Sequence, residues 1–189
     1  MARYVFIDPE GSIKGLNIGI GYLVSSLLEE GITDIKVLDF NNKCDEVNGR
    51  LRKELFDCFF LGFSLKSSND IRQILNNSII KQKENKIYAC GGPHITIDGK
   101  NFLNENKTFD LAVIGEGEET IKKISKCIEN GKDFSKITNT IYNNKGKIIT
   151  NKCEDLFVKN LDKLPYPNYE YFDSFNGKID RYPLLTSRG

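Results

Sequence analysis

Short apolar runs alternate with amphipathic stretches through the first 130 residues. Tyr4-Val5-Phe6-Ile7 predicts a strand, and Ile20, Leu23, Val24, Leu27 and Leu28 then recur at helical spacing until Gly31 offers a C-cap. Residues 34–40 predict a second strand, and Val47, Leu51 and Leu55 stripe a short helix. Cys58-Phe59-Phe60-Leu61-Gly62-Phe63 is apolar without alternation, the pattern of a central strand covered on both faces. Ser67 or Ser68 can cap a helix carrying Ile71, Ile74, Leu75 and Ile79. A fourth strand over 86–90, a short and weakly patterned helical segment over 101–104, and a fifth strand over 110–114 come next. Ile121, Ile124 and Ile128 mark the inward face of a helix over 118–130 that Gly131 stops.

Five β-α repeats imply parallel strands joined by right-handed crossovers, with helices on both faces. The expected fold is therefore α/β: a doubly wound, Rossmann- or flavodoxin-like five-stranded parallel sheet, most simply in the order 2-1-3-4-5. Its switch point lies between strands one and three, and ligands in such sheets settle beyond the carboxyl ends of the strands. Chemistry should gather on the loops after Ile7, Phe63 and Cys90, with the loop after Ile114 at the flank. Two of these loops carry glycines, Gly91-Gly92-Pro93-His94 and Gly115-Glu116-Gly117-Glu118. Glycine there lets backbone approach a ligand with no Cβ in the way.

The doubly wound domain is expected to span 1–135. Beyond it, Thr140-Ile141-Tyr142 and Lys147-Ile148-Ile149 flank Asn143-Asn144-Lys145-Gly146 and predict a β-hairpin in an extension over 136–159. Residues 160–189 read as a linker and the first strand of a further domain. Proline disfavours helix at and before itself, so Leu161-Asp162-Lys163-Leu164-Pro165-Tyr166-Pro167 should be extended. Tyr182 to Gly189 opens a strand that stops abruptly, as at a cut within a longer chain.

A length of 189 residues is enough for one domain with a real core. With 27 Lys+Arg against 26 Asp+Glu the formal charge is +1, so no global field recruits nucleic acid or an anionic membrane. The longest apolar stretch, Ile18 to Leu28, is too short and interrupted to span a bilayer, and no signal peptide begins at Met1, so a cytoplasmic location is expected. Cys44, Cys58, Cys90, Cys127 and Cys153 are dispersed, with no C-x-x-C pair for zinc, a redox dithiol or a cluster. Reduced, mostly buried thiols and no metal site in this chain are expected. His94 is the only histidine, and a loop histidine without a second ligand is more often structural than metal-binding. Glu116, Glu118 and Glu119 crowd a helix start, where the macrodipole favours each carboxylate by about 0.3–1 kcal/mol. A receiver domain would need its phosphoacceptor Asp at the end of the third strand, where Ser64 stands, and a flavodoxin phosphate loop would be richer in Ser and Thr than residues 8–15.

Taken in order, these motifs resemble the N-terminal cobalamin (B12)-binding domain of B12-dependent radical S-adenosylmethionine (SAM) enzymes. The resemblance rests on Ser64, Gly91-Gly92-Pro93-His94-Ile95-Thr96, Gly115-Glu116-Gly117-Glu118, the Leu161 to Pro167 segment and Thr186-Ser187-Arg188-Gly189, and covers nearly the whole chain. It implies cobalamin as the cofactor of this domain, with Ser64 meeting the nucleotide tail and Gly91-Gly92 passing beside it. The candidate cofactor-binding residues are Glu10, Gly11, Ser64, Leu65, Ser67, Gly91, Gly92, Pro93, His94, Gly115, Glu116 and Gly117. It also implies that the terminal segment leads into a radical SAM domain of the same polypeptide holding a 4Fe-4S iron-sulfur cluster and S-adenosylmethionine. That parent would most often carry a methyl group to an unactivated centre of a small-molecule or peptide substrate, and this chain alone would not catalyse. The first loop departs from the pattern of mutases and methionine synthases, Asp-x-His-x-x-Gly, whose His binds cobalt: Glu10 stands in the His position and Ile13 in that of the Gly. The radical SAM branch commonly lacks that His as well, which implies a cobalt without a protein imidazole below it. The other reading is a degenerate domain that keeps the fold, binds no cofactor and serves as an interaction or substrate-positioning module.

Overall fold

The computed structural model describes residues 3–11, 15–42, 49, 51, 58–76, 85–131 and 133–175. The expectations placed on Ser12 to Lys14, Cys44, Val47, Leu55, Ile79 and the segment from Tyr182 to Gly189 lie outside the described residues. Five parallel strands, β1 (Tyr4–Asp8), β2 (Ile35–Asp39), β3 (Phe60–Ser64), β4 (Ile87–Gly91) and β5 (Leu111–Val113), stand in the order 2-1-3-4-5, as the topology rules anticipate. The expected five parallel strands are present, but among the described residues the sheet has seven strands in all, not five. The hairpin strands β6 (Thr140–Asn144) and β7 (Lys147–Thr150) continue the sheet, with β6 antiparallel to β5 through Ala112↔Ile141. An uncovered β5 would leave a row of unpaired backbone groups, and the hairpin closes that edge.

Helices α1 (Ile18–Glu29) and α4 (Glu118–Glu129) cover one face of the sheet, and α2 (Ser68–Asn76) and α3 (Pro93–Glu105) cover the other. Asn17 caps α1, its side-chain oxygen accepting from the Ile20 N–H at 3.1 Å. The expected loop at 93–94 with a weak helix at 101–104 is also corrected, since α3 runs unbroken from Pro93 apart from a kink at Asp98 (φ −128°, ψ 20°). Proline suits a first helical turn because its missing N–H has no partner there and its φ is already helical.

The proline-bearing stretch after β7 packs back onto the domain. A 3-10 turn at Leu161–Lys163 precedes extended backbone, and Tyr169 and Phe172 are each 2% exposed. Gly21 of α1 makes room for Tyr169 and Pro167: a Cβ there would lie 2.8 Å from the Tyr169 ring and 2.9 Å from Pro167. Val37 donates to the Tyr171 carbonyl and accepts from Asp173 N–H, both at 2.9 Å, so the outer edge of β2 is covered too. Among the described residues no helix is long and apolar enough to cross a membrane. Cys58 and Cys90 are buried, but Cys127 is half-buried and Cys153 exposed, so the expected burial of thiols holds for only part of the set.

Candidate functional site

Alternation along β3 and β4 produces a hollow. On the α1/α4 side these strands carry Gly62, Ser64, Ala89 and Gly91, in register as Gly62↔Ala89 and Ser64↔Gly91. No side chain larger than a methyl or a hydroxymethyl rises from that patch, although the Phe6 ring lies over Gly62, where a Cβ would be 2.7 Å from it; Gly19 of α1 and Gly117, which precedes α4 and packs against Leu23, complete the small lining residues. The result is a cavity of about 320 Å³ at the carboxyl ends of the strands, walled by Phe6, Ile20, Leu23, Phe60, Val113 and Ile124.

The two adjacent glycines do different things. Gly92 has φ 108° and ψ 177°, a region essentially reserved for glycine, and a Cβ there would sit 2.7 Å from the Leu65 carbonyl oxygen. Its bareness serves the turn. Gly91 has no such strain, and a Cβ would find nothing nearer than Val113 Cβ at 3.8 Å. Its bareness leaves space in the cavity. Gly115 (φ 76°) lets the segment after the hairpin close over the β5 loop: a Cβ there would collide with the Leu156 carbonyl, which instead accepts from the Glu116 N–H at 2.8 Å. The Glu116 carboxylate accepts from Val158 N–H, and Thr96 Oγ accepts from Gly115 N–H at 3.0 Å. The loops after β4 and β5 are thereby tied together around the mouth.

One polar chain reaches the cavity. Asp8, fully buried at the end of β1, accepts at Oδ1 from Lys66 Nζ (2.9 Å) and Asn17 Nδ2 (2.7 Å), and Asn17 Nδ2 also donates to Ser64 Oγ (3.1 Å). Burial pushes the Asp8 carboxyl above its ordinary range, against the pull of the Lys66 ammonium and the Asn17 hydrogen bond, and Asp39 adds to the rise. Burial likewise holds the Cys90 thiol well above its usual value, but its sulfur lies in the core on the opposite face of the sheet and is not presented to the cavity.

Of the residues singled out from sequence, Ser64, Gly91, Gly92, Gly115, Glu116 and Gly117 line the cavity. The others do not. Leu65 lies fully buried behind the lining, its carbonyl accepting from His94 N–H at 3.3 Å. Ser67 donates to Asp70 at 2.8 Å and organises the start of α2. Pro93 and His94 form the first turn of α3, which corrects the loop placement of the histidine. Glu10 is exposed, and Gly11 N–H donates to Asn41 at 3.0 Å. Sequence reasoning missed Asn17, Gly19, Leu23 and Glu118 as lining residues, and Asp8 and Lys66 behind them. Glu118, expected only to favour the helix start, is 3% exposed and faces the cavity.

The family model of the B12 binding domain matches residues 14–125, which covers the first cavity-lining residue of α1 through the last of α4. The chain belongs to the B12-binding domain family. It is 28% identical over 182 residues to an uncharacterised methyltransferase of Pyrococcus horikoshii, an alignment covering 93% of this chain and 39% of that protein. Its fold is similar to that of the radical S-adenosylmethionine methyltransferase TsrM from Kitasatospora setae, solved with cobalamin and a 4Fe-4S cluster bound (TM-score 0.67, 17% identity, 82% of this chain and 32% of that chain). It is also similar to that of the cobalamin-dependent S-adenosylmethionine radical enzyme OxsB, solved with aqua-cobalamin and S-adenosylmethionine (TM-score 0.67, 17% identity, 88% of this chain and 24% of that chain). At that identity the likeness is one of fold. The chain thus spans 39% of the curated relative's length and less of each solved enzyme.

Cobalamin is a corrin ring with a nucleotide tail ending in a planar base, and the B12-binding domain offers a site in keeping with those parts. Small-molecule pockets run from about 300 to 1,000 Å³. A cavity of about 320 Å³ is large enough for an aromatic base with its sugar and too small for a corrin.

Proposed function

We propose that this domain holds cobalamin with the nucleotide tail in the cavity and the corrin across the carboxyl ends of β1, β3 and β4. The carrying observation is the cavity itself, an apolar slot at the switch point of the sheet, bounded by Ser64 and Gly91 and open towards the strand ends. Ser64, Gly91, Gly92 and Gly115 to Gly117 would form the tail channel, while Glu10, Gly11, Leu65, Ser67, Pro93 and His94 belong to the loops on which the corrin would rest. When bound, cobalamin supplies a cobalt centre that can carry a methyl group; the residues of this chain bind it, orient it and keep water from its tail. The exposed carboxylate of Glu10 would face the lower side of the corrin without a protein imidazole.

The domain would serve a radical SAM domain of the same polypeptide, which would hold the 4Fe-4S cluster and S-adenosylmethionine and act on a small molecule or peptide. Support comes from the named activities of TsrM, OxsB and the Pyrococcus methyltransferase, each much longer than this chain. A cytoplasmic setting belongs to the same proposal and agrees with free, dispersed cysteines, one of them exposed.

Equilibrium dialysis against hydroxocobalamin tests the binding reading. The wild-type protein is expected to retain corrinoid. Gly91→Leu, which places an isobutyl group in the channel from an unstrained position, should lose at least about tenfold in affinity with an unchanged circular dichroism spectrum. Wild-type protein that retains no corrinoid would overturn cofactor binding and leave the interaction-module reading.

A further inference from the structure

The carboxyl end of β2 holds a second buried carboxylate, outside the cavity. Asp39 is fully buried, and three uncharged donors serve it: Asn42 N–H at Oδ1 (3.0 Å), Asn42 Nδ2 at Oδ2 (2.6 Å) and the Ser174 hydroxyl, also at Oδ2. The serine comes from the linker that follows Pro167. Along the outer edge of β2, Phe172 is bridged in parallel to Val37, and Asp173 Oδ1 accepts from Asp39 N–H at 2.9 Å. Asn42 also holds the first loop. Its second amide hydrogen goes to the Gly15 carbonyl (3.0 Å) and its side-chain oxygen accepts from Gly15 N–H (3.1 Å). Asn41 donates to the same carbonyl (2.9 Å) and accepts from Gly11 N–H (3.0 Å). An unbroken set of bonds therefore runs from Ser174 through Asp39 and Asn42 to Gly15.

We propose that Asp39 is a positioning residue: through Asn42 it makes the geometry of the first loop depend on whether the linker is docked, so that linker docking and corrinoid binding reinforce each other. This rests on the reading of the first loop as a rest for the corrin. The sign of the coupling follows from burial. With the linker in place the Asp39 carboxylate is closed to water, an unmet acceptor there is costly, and Asn42 is held to it in surroundings where hydrogen bonds are strong. With the linker lifted, water serves both carboxylate oxygens and no longer obliges Asn42 to stay. The exposed Gly15 then keeps only its bond from Asn41. A ligand that favours the ordered loop favours the docked linker by the same factor, since coupling between two sites is reciprocal. The linker would also join this domain to the radical SAM domain, so a pull on it would be felt at the corrin.

The test pairs residue-resolved amide exchange by nuclear magnetic resonance with dialysis against hydroxocobalamin and against cobinamide, which lacks the nucleotide tail and so reads the corrin contacts alone. Gly21→Val lifts the linker from α1, where a Cβ meets Tyr169 and Pro167 at 2.8 and 2.9 Å, without touching Asp39 or the loop. In that variant, free of ligand, the Gly11 and Gly15 amides should exchange at least about threefold faster, while the Gly115 amide, held by Thr96, stays unchanged. Ser174→Ala, which removes one bond and leaves the packing intact, should raise Gly15 exchange about twofold, and Ser174→Thr, which keeps the hydroxyl, should match the wild-type protein. Affinity for both corrinoids should fall about threefold in Gly21→Val, and cobinamide bound to the wild-type protein should slow exchange of the Asp173 N–H, which donates to Val37, by a like factor. Faster exchange at Asp173 with no change at Gly11 and Gly15 would overturn the coupling while leaving cofactor binding in place. No rise at Gly15 in Ser174→Ala would do the same even if Gly21→Val does not fold. Loop exchange that rises without any loss of corrinoid affinity would overturn the reinforcement, and wild-type protein that binds neither corrinoid would overturn it together with the cofactor reading.

Discussion

Neighbouring residues of β3 and β4 point to opposite faces of one sheet and differ greatly in size. Leu61, Phe63, Tyr88 and Cys90 belong to the core beneath α2 and α3. There Phe63, Tyr88, Phe102 and Phe109 pack ring against ring with centroids 5.1 to 6.3 Å apart. Gly62, Ser64, Ala89 and Gly91 face α1 and α4; the Phe6 ring lies over Gly62, and the open space is beside Ser64, Ala89 and Gly91. The filled face stabilises the sheet, and the hollow face, built on the same strands, is free to take a ligand. A continuous apolar run in a parallel strand thus conceals two unlike faces.

The largest test of that division falls on the filled face. Phe109 is fully buried and touches three other rings, so Phe109→Ala is expected to cost about 3–5 kcal/mol in urea unfolding. Cobalamin affinity of the remaining folded protein should stay within about twofold, well under the tenfold of 1.4 kcal/mol. An affinity loss matching the stability loss would show that the faces are not separate.

Next comes the glycine pair, where turn and space are adjacent. Gly92→Ala should cost about 1–3 kcal/mol through its backbone conformation and its approach to Leu65. Gly91→Ala should be close to neutral for stability, since its new Cβ meets only ordinary contacts. Unfolding midpoints of the two variants check this, and equal costs would contradict the assignment of one glycine to the fold and the other to the cavity.

The smallest effect concerns Asp8 at the hollow end. Its folded pKa lies above the ordinary carboxylate value because burial outweighs Lys66 and Asn17. The raised value means that its contribution to stability is present below the ordinary value near pH 4 and is lost as pH rises through the folded value. Wild-type protein should therefore lose stability across that rise relative to Asp8→Asn, which has no such titration. Urea midpoints compared from about pH 4 to 7 measure it, and a wild-type curve that gains on Asp8→Asn would mean the ion pair prevails. A carboxylate kept at a cost to stability points to use rather than support.

The strand order was legible because each apolar run and each helical stripe is local and the connection rules leave few topologies. Joining of the hairpin to β5 was not, since nothing within residues 140–150 names its partner strand. Pro93 and Gly99 disguised the length of α3, and the prolines at 165 and 167 disguised a segment whose real complement is the bare surface at Gly21. At the site, Ser64 and Gly91 could be found because they end strands. Nothing in the sequence marked Asn17 as a site residue, and its bond to Ser64 spans 47 residues, as the Lys66–Asp8 pair spans 58. Such contacts exist only once the sheet brings the strand ends together. The hollow beside Ala89 was equally hidden, because small residues inside an apolar strand look the same whether the space above them is filled, as it is over Gly62 by Phe6, or not.

If the nucleotide tail occupies the cavity, its base nitrogen has left cobalt, and that is observable at the metal. Electron paramagnetic resonance of the Co(II)-cobalamin complex should then show cobalt lines without nitrogen splitting, in the wild-type protein and in His94→Ala alike. Lines split into triplets that disappear in His94→Ala would mean that the lone histidine had replaced the base. Triplets that persist in His94→Ala would mean that the base is still on cobalt, and would contradict a tail held between α1 and α4.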